Sequence, residues 1–369
     1  YYLVNGSSSG ILSAICGTVP RGGRILVSRN CHKSVYHGIC LNQLKTSYVY
    51  PQEIEGLGIQ GGITAEDVDR MLNRYMDTQA VLIVCPTYDG IVSDIEAIAR
   101  IVHRAGLPLI VDEAHGAHFR YDAMFPVSAL DLGADVVIQS VHKTLPSLTQ
   151  TALLHIKCNR PDGGCYADRE RIDRYIHMVQ SSSPSYILMA SIDECIRLVD
   201  EEREKVFKPY VEMLCQLRKE IGKLKNLQLL ETMQYDASKI VISARGRMSG
   251  KELQEILLEN DHLQMEMAAG SYVIAMTGPG DTQEGMNRLL NALRNLDKRL
   301  DEVLQGNRKQ DKDLDEVLSG NRKMDAATMK KDPGFCRHPL IPAERVVESA
   351  KVKGRKGLAL PWQEAVGKV

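Results

Sequence analysis

Short apolar runs alternate with longer amphipathic stretches over the first 160 residues of the chain. The runs read as strands because they are rich in valine, isoleucine and leucine and are bounded by turn residues. The predicted strands are Leu3–Asn5, Arg24–Ser28, Ser47–Tyr50, Ala80–Cys85, Leu109–Asp112 and Asp135–Gln139. Strands that alternate with helices indicate a parallel sheet covered by helices on both faces.

Capping signals mark some of the helix boundaries between these strands. Ser93–Glu96 has the pattern of a capping box and predicts a helix start, and Gly106 with Pro108 predicts the end of that helix. Thr64 predicts a second N-cap before a helix. These signals support the alternation of strands and helices.

Residues 161–300 have a different pattern and predict a smaller α+β domain. Two long helical stretches come first, and strands and capped helices follow them. The predicted elements are helices over Tyr186–Lys205 and Pro209–Leu224, strands over Lys239–Ser243 and Tyr272–Met276, and helix caps at Ser249–Glu252 and Asp281–Glu284.

A duplication follows this domain. The segment Asp301–Lys309 recurs as Asp315–Lys323, with a period of 14 residues. Two copies fall short of the roughly three that a solenoid needs. Because charge-rich helix faces are usually solvated, we expect residues 301–332 to form a charged linker rather than a partner-binding element.

Composition excludes several classes of function. The chain has 46 basic and 47 acidic residues, so charge gives no case for a nucleic-acid or anionic-membrane partner. No apolar run approaches the roughly 20 residues needed to span a bilayer. The nine cysteines include no CxxC pair. We therefore expect reduced thiols in a cytoplasmic protein rather than a disulfide framework, and no zinc site.

Three polar groups come at the ends of predicted strands. The Gly/Ser turn Asn5–Gly10 follows the first strand, Asp112 closes a later one, and Lys143 lies just beyond another. Singly, each fits a flexible turn, a helix cap or a surface lysine. Together they lie where open α/β sheets bind ligands. A lysine that forms a Schiff base, an aspartate that keeps a ring nitrogen protonated, and a turn that binds phosphate suit pyridoxal phosphate (PLP).

Six motifs carry a resemblance to a known family: Leu3–Gly10, Arg29–Ser34, Pro86–Gly90, Val111–His118, Ser140–Lys143 and Ser182–Tyr186. With these motifs the chain resembles the Orn/Lys/Arg decarboxylases, PLP enzymes of the aspartate aminotransferase fold (fold type I). The likeness extends from the first residue to about Leu300. It implies an α/β large domain that binds PLP over residues 1–160, with a mostly parallel sheet, followed by the small α+β domain.

The same resemblance implies a longer natural protein. In the family, a segment precedes the strand that begins near Tyr1, and a C-terminal domain follows the linker. We therefore expect this sequence to be a fragment in which residues 333–369 begin an incomplete C-terminal domain.

The resemblance assigns four catalytic residues. Lys143 would form the Schiff base, since a lysine's pKa falls readily on burial and leaves a neutral nucleophile. Asp112 would pair with the ring nitrogen and make the ring an electron sink. His142 would contact the substrate carboxylate or donate a proton near the α-carbon, or would only orient the lysine. His115 would lie near the cofactor or the substrate.

Four serines are the expected phosphate ligands. Ser7 and Ser8 would bind through hydroxyl and backbone N–H groups at the start of a helix predicted over Ser9–Gly17. By resemblance, Ser140 would add a bond to the same phosphate. Ser181 would reach the phosphate of the neighbouring subunit, which implies a homodimer or a higher homo-oligomer.

Three further positions complete the expectations. His32 would stack on the cofactor ring; alternatively, it neighbours the N-cap of the helix predicted over Lys33–Leu41. Glu113 is expected to make structural contacts. His118–Asp122 departs from the Gly- and His-containing stretch of the family, which predicts an altered surface near the mouth of the site.

The predicted function is PLP-dependent decarboxylation of lysine, arginine or ornithine to the amine and CO2, in polyamine biosynthesis. A PLP-dependent aminotransferase or lyase on the same fold stays open, because fold alone does not decide chemistry. A non-catalytic paralogue or fragment is the third alternative.

Overall fold

A computed structural model describes residues 1–54 and 57–304. These residues belong to one compact unit, Tyr1–Lys312. Apart from residues 301–304, which end the last helix, the linker with its duplication and residues 333–369 lie outside the described residues. The predictions for those segments are therefore untested.

Seven strands form the main sheet, in the order β1-β9-β8-β7-β6-β2-β3, and β4 pairs with β5 in a short hairpin. The sheet is mostly parallel; only β9 runs against its neighbours β8 and β1. The strands are β1 (Tyr2–Asn5), β2 (Arg24–Ser28), β3 (Lys45–Val49), β4 (Glu53–Ile54), β5 (Ile59–Gln60), β6 (Thr78–Val84), β7 (Leu109–Asp112), β8 (Val136–Ser140) and β9 (Thr151–Ile156). The prediction of an α/β fold with a mostly parallel sheet is confirmed.

Helices connect these strands: α1 (Gly6–Thr18), α2 (Lys33–Leu41), α3 (Ala65–Arg74), α4 (Ile95–Arg104), α5 (Val141–Thr144) and α6 (Arg169–Val179). Thr64 caps α3 as predicted, accepting a hydrogen bond from the Asp67 N–H. The capping box at Ser93 is wrong. Asp94 caps α4, because the Ser93 hydroxyl instead accepts a hydrogen bond from the N–H of Ile63.

Two apolar cores cover the two faces of the main sheet. Neighbouring residues on a strand point to opposite faces. Ile110 and Ile138 accordingly pack with α1 in one core, whereas Val111 and Val137 pack with α4 in the other. Burial on both faces fixes the strand register, and with it the positions of the polar residues at the strand ends.

The later part of the chain forms a four-stranded antiparallel sheet, in the order β10-β11-β13-β12, with helices packed around it. Its elements are α7 (Tyr186–Glu201), α8 (Arg203–Ile221), β10 (Gln228–Leu229), β11 (Lys239–Ser243), α9 (Gly250–Asp261), β12 (Met267–Ala268), β13 (Tyr272–Met276) and α10 (Gln283–Leu304). The smaller α+β arrangement is thus as predicted.

Two details of this part differ from or extend the sequence prediction. The predicted helix start at Pro209 is wrong, because α8 begins at Arg203 and carries that proline inside it. The capping box at Ser249 is confirmed, with the Glu252 side chain accepting from the Ser249 N–H. The domain boundary near residue 160 stays a prediction, since α6 lies beyond it and still packs against α1.

One cysteine pair contradicts the expectation that all thiols are reduced. Cys158 and Cys165 form a disulfide that closes a short loop after β9. Within the described residues, no helix is long and apolar enough to cross a membrane. The same residues contain no group of three or more His, Cys, Asp or Glu side chains placed to hold a metal ion.

Candidate active site

Three strand ends bring the predicted site residues to one edge of the main sheet. Strands β1, β7 and β8 run in the same direction, because β9 is antiparallel to both β1 and β8. Their last residues are Asn5, Asp112 and Ser140, and Lys143 follows in α5. The carboxyl edge of the sheet therefore collects the groups that the sequence predicts there.

Asp112 and Lys143 form the charged centre of this edge. The Asp112 carboxylate is buried, with 4% of the residue exposed, and Oδ1 accepts the N–H of Ala114 at 3.2 Å. Burial raises the pKa of Asp112 to about 6, opposed by the Lys143 ammonium and by that N–H donor. Burial likewise lowers the pKa of Lys143, opposed by the charges of Asp112 and Glu266. Each group thus favours the ionised form of the other.

His115 lies between two lysines. The Lys143 Nζ is 3.1 Å from His115 Nε2, and the Lys239 Nζ is 2.9 Å from His115 Nδ1. Burial lowers the pKa of His115 well below its usual value, and the charges of Lys239 and Lys143 lower it further. The Tyr88 ring lies edge-on to the imidazole, with the ring centroids 5.0 Å apart. His115 is therefore a neutral imidazole with a lysine on each nitrogen.

Three residues of this site, Lys239, Tyr88 and Glu266, had no role predicted from the sequence. Lys239 is the first residue of β11 and has no solvent exposure, and burial lowers its pKa to about 8. Tyr88 donates a hydrogen bond to Glu266 Oε1 at 2.6 Å, and the charge of Glu266 acts on both lysines. A lysine at the head of an apolar strand was the only sequence signal for Lys239.

The start of α1 presents hydrogen-bond donors. The hydroxyls of Ser7 and Ser140 are hydrogen-bonded to each other, which joins the first turn of α1 to the end of β8. Helix α1 begins at Gly6, so the predicted start at Ser9 is too late. Asn5 is the N-cap, but its side chain makes no cap bond to the first turn. Ser8 is exposed in that turn. Free N–H groups and hydroxyls at a helix N-terminus suit a phosphate.

Ser181 lies beside this turn within the same chain. The side-chain amide of Asn5 donates to the Ser181 hydroxyl at 3.0 Å. Ser181 itself is exposed, in the loop between α6 and α7. The expected contact with the phosphate of a neighbouring subunit stays a prediction.

The described hydrogen bonds of His142 and His32 go to groups other than His115 and the two lysines. His142 Nδ1 donates to the backbone carbonyl of Thr151 at 2.9 Å, which turns its ring towards β9. His32 is the N-cap of α2, and its Nδ1 accepts the N–H of Ser34 at 3.3 Å. Both contacts fit the structural alternatives. The stacking of His32 and the proton donation by His142 stay predictions.

Glu113 has structural partners. Its carboxylate accepts hydrogen bonds from the Ser128 hydroxyl, the Ala129 N–H and the Gln139 amide, all buried. Burial raises its pKa to about 7 despite these donors. The two adjacent acids thus have different surroundings. Asp112 lies at the site, whereas Glu113 hydrogen-bonds residues of the following loop and of β8.

The stretch His118–Asp122 is buried only at its start. His118 is buried, and its Nε2 lies 3.1 Å from the Asp236 carboxylate. Phe119 is buried beside it, with the two ring centroids 4.9 Å apart. Arg120 is exposed, so the altered surface near the mouth of the site stays a prediction.

These residues fit PLP. A lysine amine and a buried carboxylate lie at the sheet edge where the α1 N-terminus offers phosphate donors. The buried hydroxyl of Thr144, next to Lys143, has no hydrogen-bond partner in the described structure and leaves a further donor free. A cleft beside it is lined by Lys143–Pro146 and Met276–Gly280. The residues that follow β8 and the end of β13 thus line a cleft next to the Lys143 amine.

Comparison with known proteins agrees with this fit. The chain is 33% identical over 309 residues to the uncharacterized protein YaaO of Bacillus subtilis, a match spanning 82% of this chain and 62% of that protein. It is 30% identical over 305 residues to an arginine decarboxylase of Bacillus anthracis, over 80% of this chain and 61% of the relative. The chain therefore spans less than two thirds of the length of these relatives.

Among solved structures, the lysine decarboxylase LdcF of Francisella novicida matches with a TM-score of 0.69 at 21% identity, over 81% of this chain and 48% of that one. This likeness shows the fold, PLP fold type I. A family model described as the major domain of the Orn/Lys/Arg decarboxylases matches residues 1–246. Because that match covers most of the chain, the chain belongs to the Orn/Lys/Arg decarboxylase family.

Proposed function

We propose that this protein decarboxylates a basic amino acid, lysine, arginine or ornithine, to the amine and CO2 with PLP as cofactor. The observation that carries the proposal is that the carboxyl ends of β1, β7 and β8 bring the Ser7–Ser140 hydrogen bond, the buried carboxylate of Asp112 and the amine of Lys143 to one edge of the main sheet. A cytoplasmic location and a place in polyamine biosynthesis belong to the same proposal.

The cofactor would be held by groups that this edge brings together. Lys143 would bind it covalently, Asp112 would hold the proton of its ring nitrogen, and the serines at the α1 N-terminus would bind its phosphate. When bound, PLP supplies a ring that takes up the electron pair left on the α-carbon as CO2 departs. The ligands under this proposal are Lys143, Asp112, His32, Ser7, Ser8, Ser140 and Ser181.

The chain's own residues control charge around the reacting groups. The Asp112 carboxylate is nearly excluded from water, so its interaction with a cation is stronger than it would be in solvent. The neutral imidazole of His115 contacts the Lys143 amine and is able to take or give a proton at Nε2. His142, with Nδ1 tied to Thr151, keeps Nε2 for a contact with the substrate.

A basic substrate is supported by an exposed acidic residue whose charge acts on both lysines. Glu266 is exposed, and its negative charge opposes the lowering of the pKa of Lys143 and of Lys239. A carboxylate there attracts a substrate that carries a distal cation. The matched relatives include arginine and lysine decarboxylases, which supports the same substrate class.

Release of CO2 tests the proposal. The purified protein, loaded with PLP, should release CO2 and the matching amine from at least one of lysine, arginine and ornithine. A keto acid without CO2 would establish the aminotransferase alternative. Spectroscopically bound cofactor without turnover of any of the three would establish a non-catalytic paralogue.

The working unit under this proposal is a homodimer with its site at the subunit boundary. Apolar side chains of α6 and α7 are open to solvent in the single chain, with Met178, Tyr186 and Ile187 at 70%, 76% and 73% exposure. Apolar patches of this kind mark interaction surfaces, and two-fold pairing is the commonest form of assembly. The patch adjoins the loop that carries Ser181.

Mixing two inactive variants tests whether the sites are shared. Lys143→Ala and Ser181→Ala chains, each crippled alone, should regain partial activity when mixed, since one of the two sites in a mixed dimer would have both groups. Activity that stays absent after subunit exchange has been verified would place Ser181 in the site of its own chain, where it contacts Asn5.

A further inference from the structure

Lys239 is a buried lysine whose amine contacts the same imidazole as Lys143. Its side chain is fully buried, and its amine lies 2.9 Å from His115 Nδ1. Within the described residues it forms no salt bridge with a carboxylate. A buried ammonium without a paired carboxylate is costly, and it responds by giving up its proton. The neutral amine of Lys239 is thus accessible from about pH 8 upwards.

The imidazole between the two lysines restricts their charges. A neutral imidazole has one N–H donor and one lone pair. The lysine that faces the lone pair donates as an ammonium, and the lysine that faces the N–H accepts as a neutral amine. Because His115 has Lys143 on Nε2 and Lys239 on Nδ1, the three groups form good hydrogen bonds only when one lysine is charged and the other is neutral.

We propose that Lys239 is a positioning residue that accepts, through His115, the proton of Lys143. The Lys143 ammonium gives a proton to His115 Nε2, while the proton on His115 Nδ1 passes to the Lys239 amine. One proton enters the imidazole and one leaves it, so His115 ends neutral in its other tautomer. Lys143 is left as the neutral nucleophile. The inference rests on the proposed function only in taking Lys143 as that nucleophile.

Charged groups from several elements decide where this proton resides. Asp112 and Glu266 act on Lys143, Asp236 and Asp89 act on Lys239, and His118 and His32 act on His115. The charge of the buried Asp112 carboxylate opposes the loss of the Lys143 proton. Burial lowers the pKa of Lys239 to about 8. Above this pH Lys239 is an empty acceptor; below it the amine is already charged and the transfer stops.

Chemical labelling of the cofactor-free protein tests the relay without any need for turnover. A neutral amine reacts with an acylating reagent and an ammonium does not, so the extent of Lys143 acylation against pH, read by mass spectrometry, gives its ionisation midpoint. In Lys239→Met, which has no acceptor, that midpoint should rise by about one pH unit, which is a tenfold slower labelling near pH 8.

Two further variants separate a relay from simple contact. His115→Gln keeps a hydrogen-bonding side chain but cannot exchange tautomers, so it should raise the midpoint as Lys239→Met does, and the double variant should add little. Lys251→Met is the matched control, because Lys251 is exposed on α9 and should leave Lys143 labelling unchanged. Additive effects of the Lys239 and His115 changes would overturn the relay.

The tautomer of His115 is a second readout. With ¹⁵N-labelled histidine, the two ring nitrogens of His115 should exchange N–H character as the pH of the cofactor-free protein passes through about 8, and Lys239→Met should fix one tautomer. An unchanged tautomer and an unchanged labelling midpoint in Lys239→Met would reject the proposal. If both change while no basic amino acid is decarboxylated, the relay stands and the proposed function fails.

Discussion

Two lysines contact the two nitrogens of the same imidazole, and they differ in their position in the fold, in solvent access and in neighbouring charge. Lys143 follows the carboxyl end of β8, is partly open to a cleft, and lies near a buried carboxylate. Lys239 begins a strand of the small sheet and is fully enclosed. Under the proposed function, solvent access and neighbouring charge make one lysine the nucleophile and the other the proton acceptor.

Substituting each lysine in turn should give the largest difference in the rate of CO2 release. Lys143→Ala should lower the rate of CO2 release by at least about a thousandfold, because it removes the covalent amine. Visible absorbance of the bound cofactor should be lost as well, and circular dichroism should show an unchanged fold. Lys239→Met, measured alongside, should cost far less. Near-normal rate and absorbance in Lys143→Ala would exclude Lys143 as the attachment point.

Asp112→Asn should have the next largest effect. The neutral amide lacks the negative charge that would keep the ring nitrogen protonated, so bound cofactor should persist while kcat falls about 10²–10³-fold, the scale of losing an electrostatic stabiliser. Glu113→Gln is the matched control, since that carboxyl is engaged by Ser128, Ala129 and Gln139. If Asp112→Asn decarboxylates normally, the assignment of Asp112 is wrong.

Helix α1, whose first turn lies at the same sheet edge as Lys143, packs tightly against α6. A Cβ on Gly17 would lie 2.6 Å from the backbone Cα of Ile172 in α6, so Gly17→Ala should lower the free energy of unfolding by about 2 kcal/mol. Gly285→Ala in α10 is the control, because its nearest atom is 3.5 Å away, and it should stabilise slightly. Urea unfolding gives both values; equal effects would contradict the tight α1–α6 contact.

The smallest expected effect concerns Lys239 and pH. Its pKa is lowered to about 8 in the folded protein, so the unfolded chain binds more protons from about pH 8 to 10 and the wild type gains stability as pH rises there. Lys239→Met should therefore be more stable at pH 7, by about 1 kcal/mol after the loss of its hydrogen bond. The advantage should vanish towards pH 10. If urea unfolding gives a difference in free energy between the two proteins that does not change with pH, the charge of Lys239 does not destabilise the folded protein.

Local sequence pattern predicted the groups at the strand ends and missed those that tertiary packing brings in. Asp112 and Lys143 come directly after apolar runs, so their edge of the sheet follows from the order of strands alone. Lys239 meets His115 only because the small sheet packs there, and nothing near Lys239 in the sequence marks that neighbour. Ser93 failed for a similar reason: a distant backbone N–H, that of Ile63, uses the hydroxyl that the capping box requires.

The contact between His115 and Lys239 joins residues 124 positions apart, which has a consequence for the order of events during synthesis. Lys143, Asp112 and the α1 turn leave the ribosome well before β11 does. A nascent chain therefore contains Lys143 before Lys239, the proposed acceptor of its proton, has been synthesised. Contacts between distant residues form late in folding. We therefore expect the proposed proton transfer to become possible only when the small sheet has folded, after the sheet edge that holds Lys143.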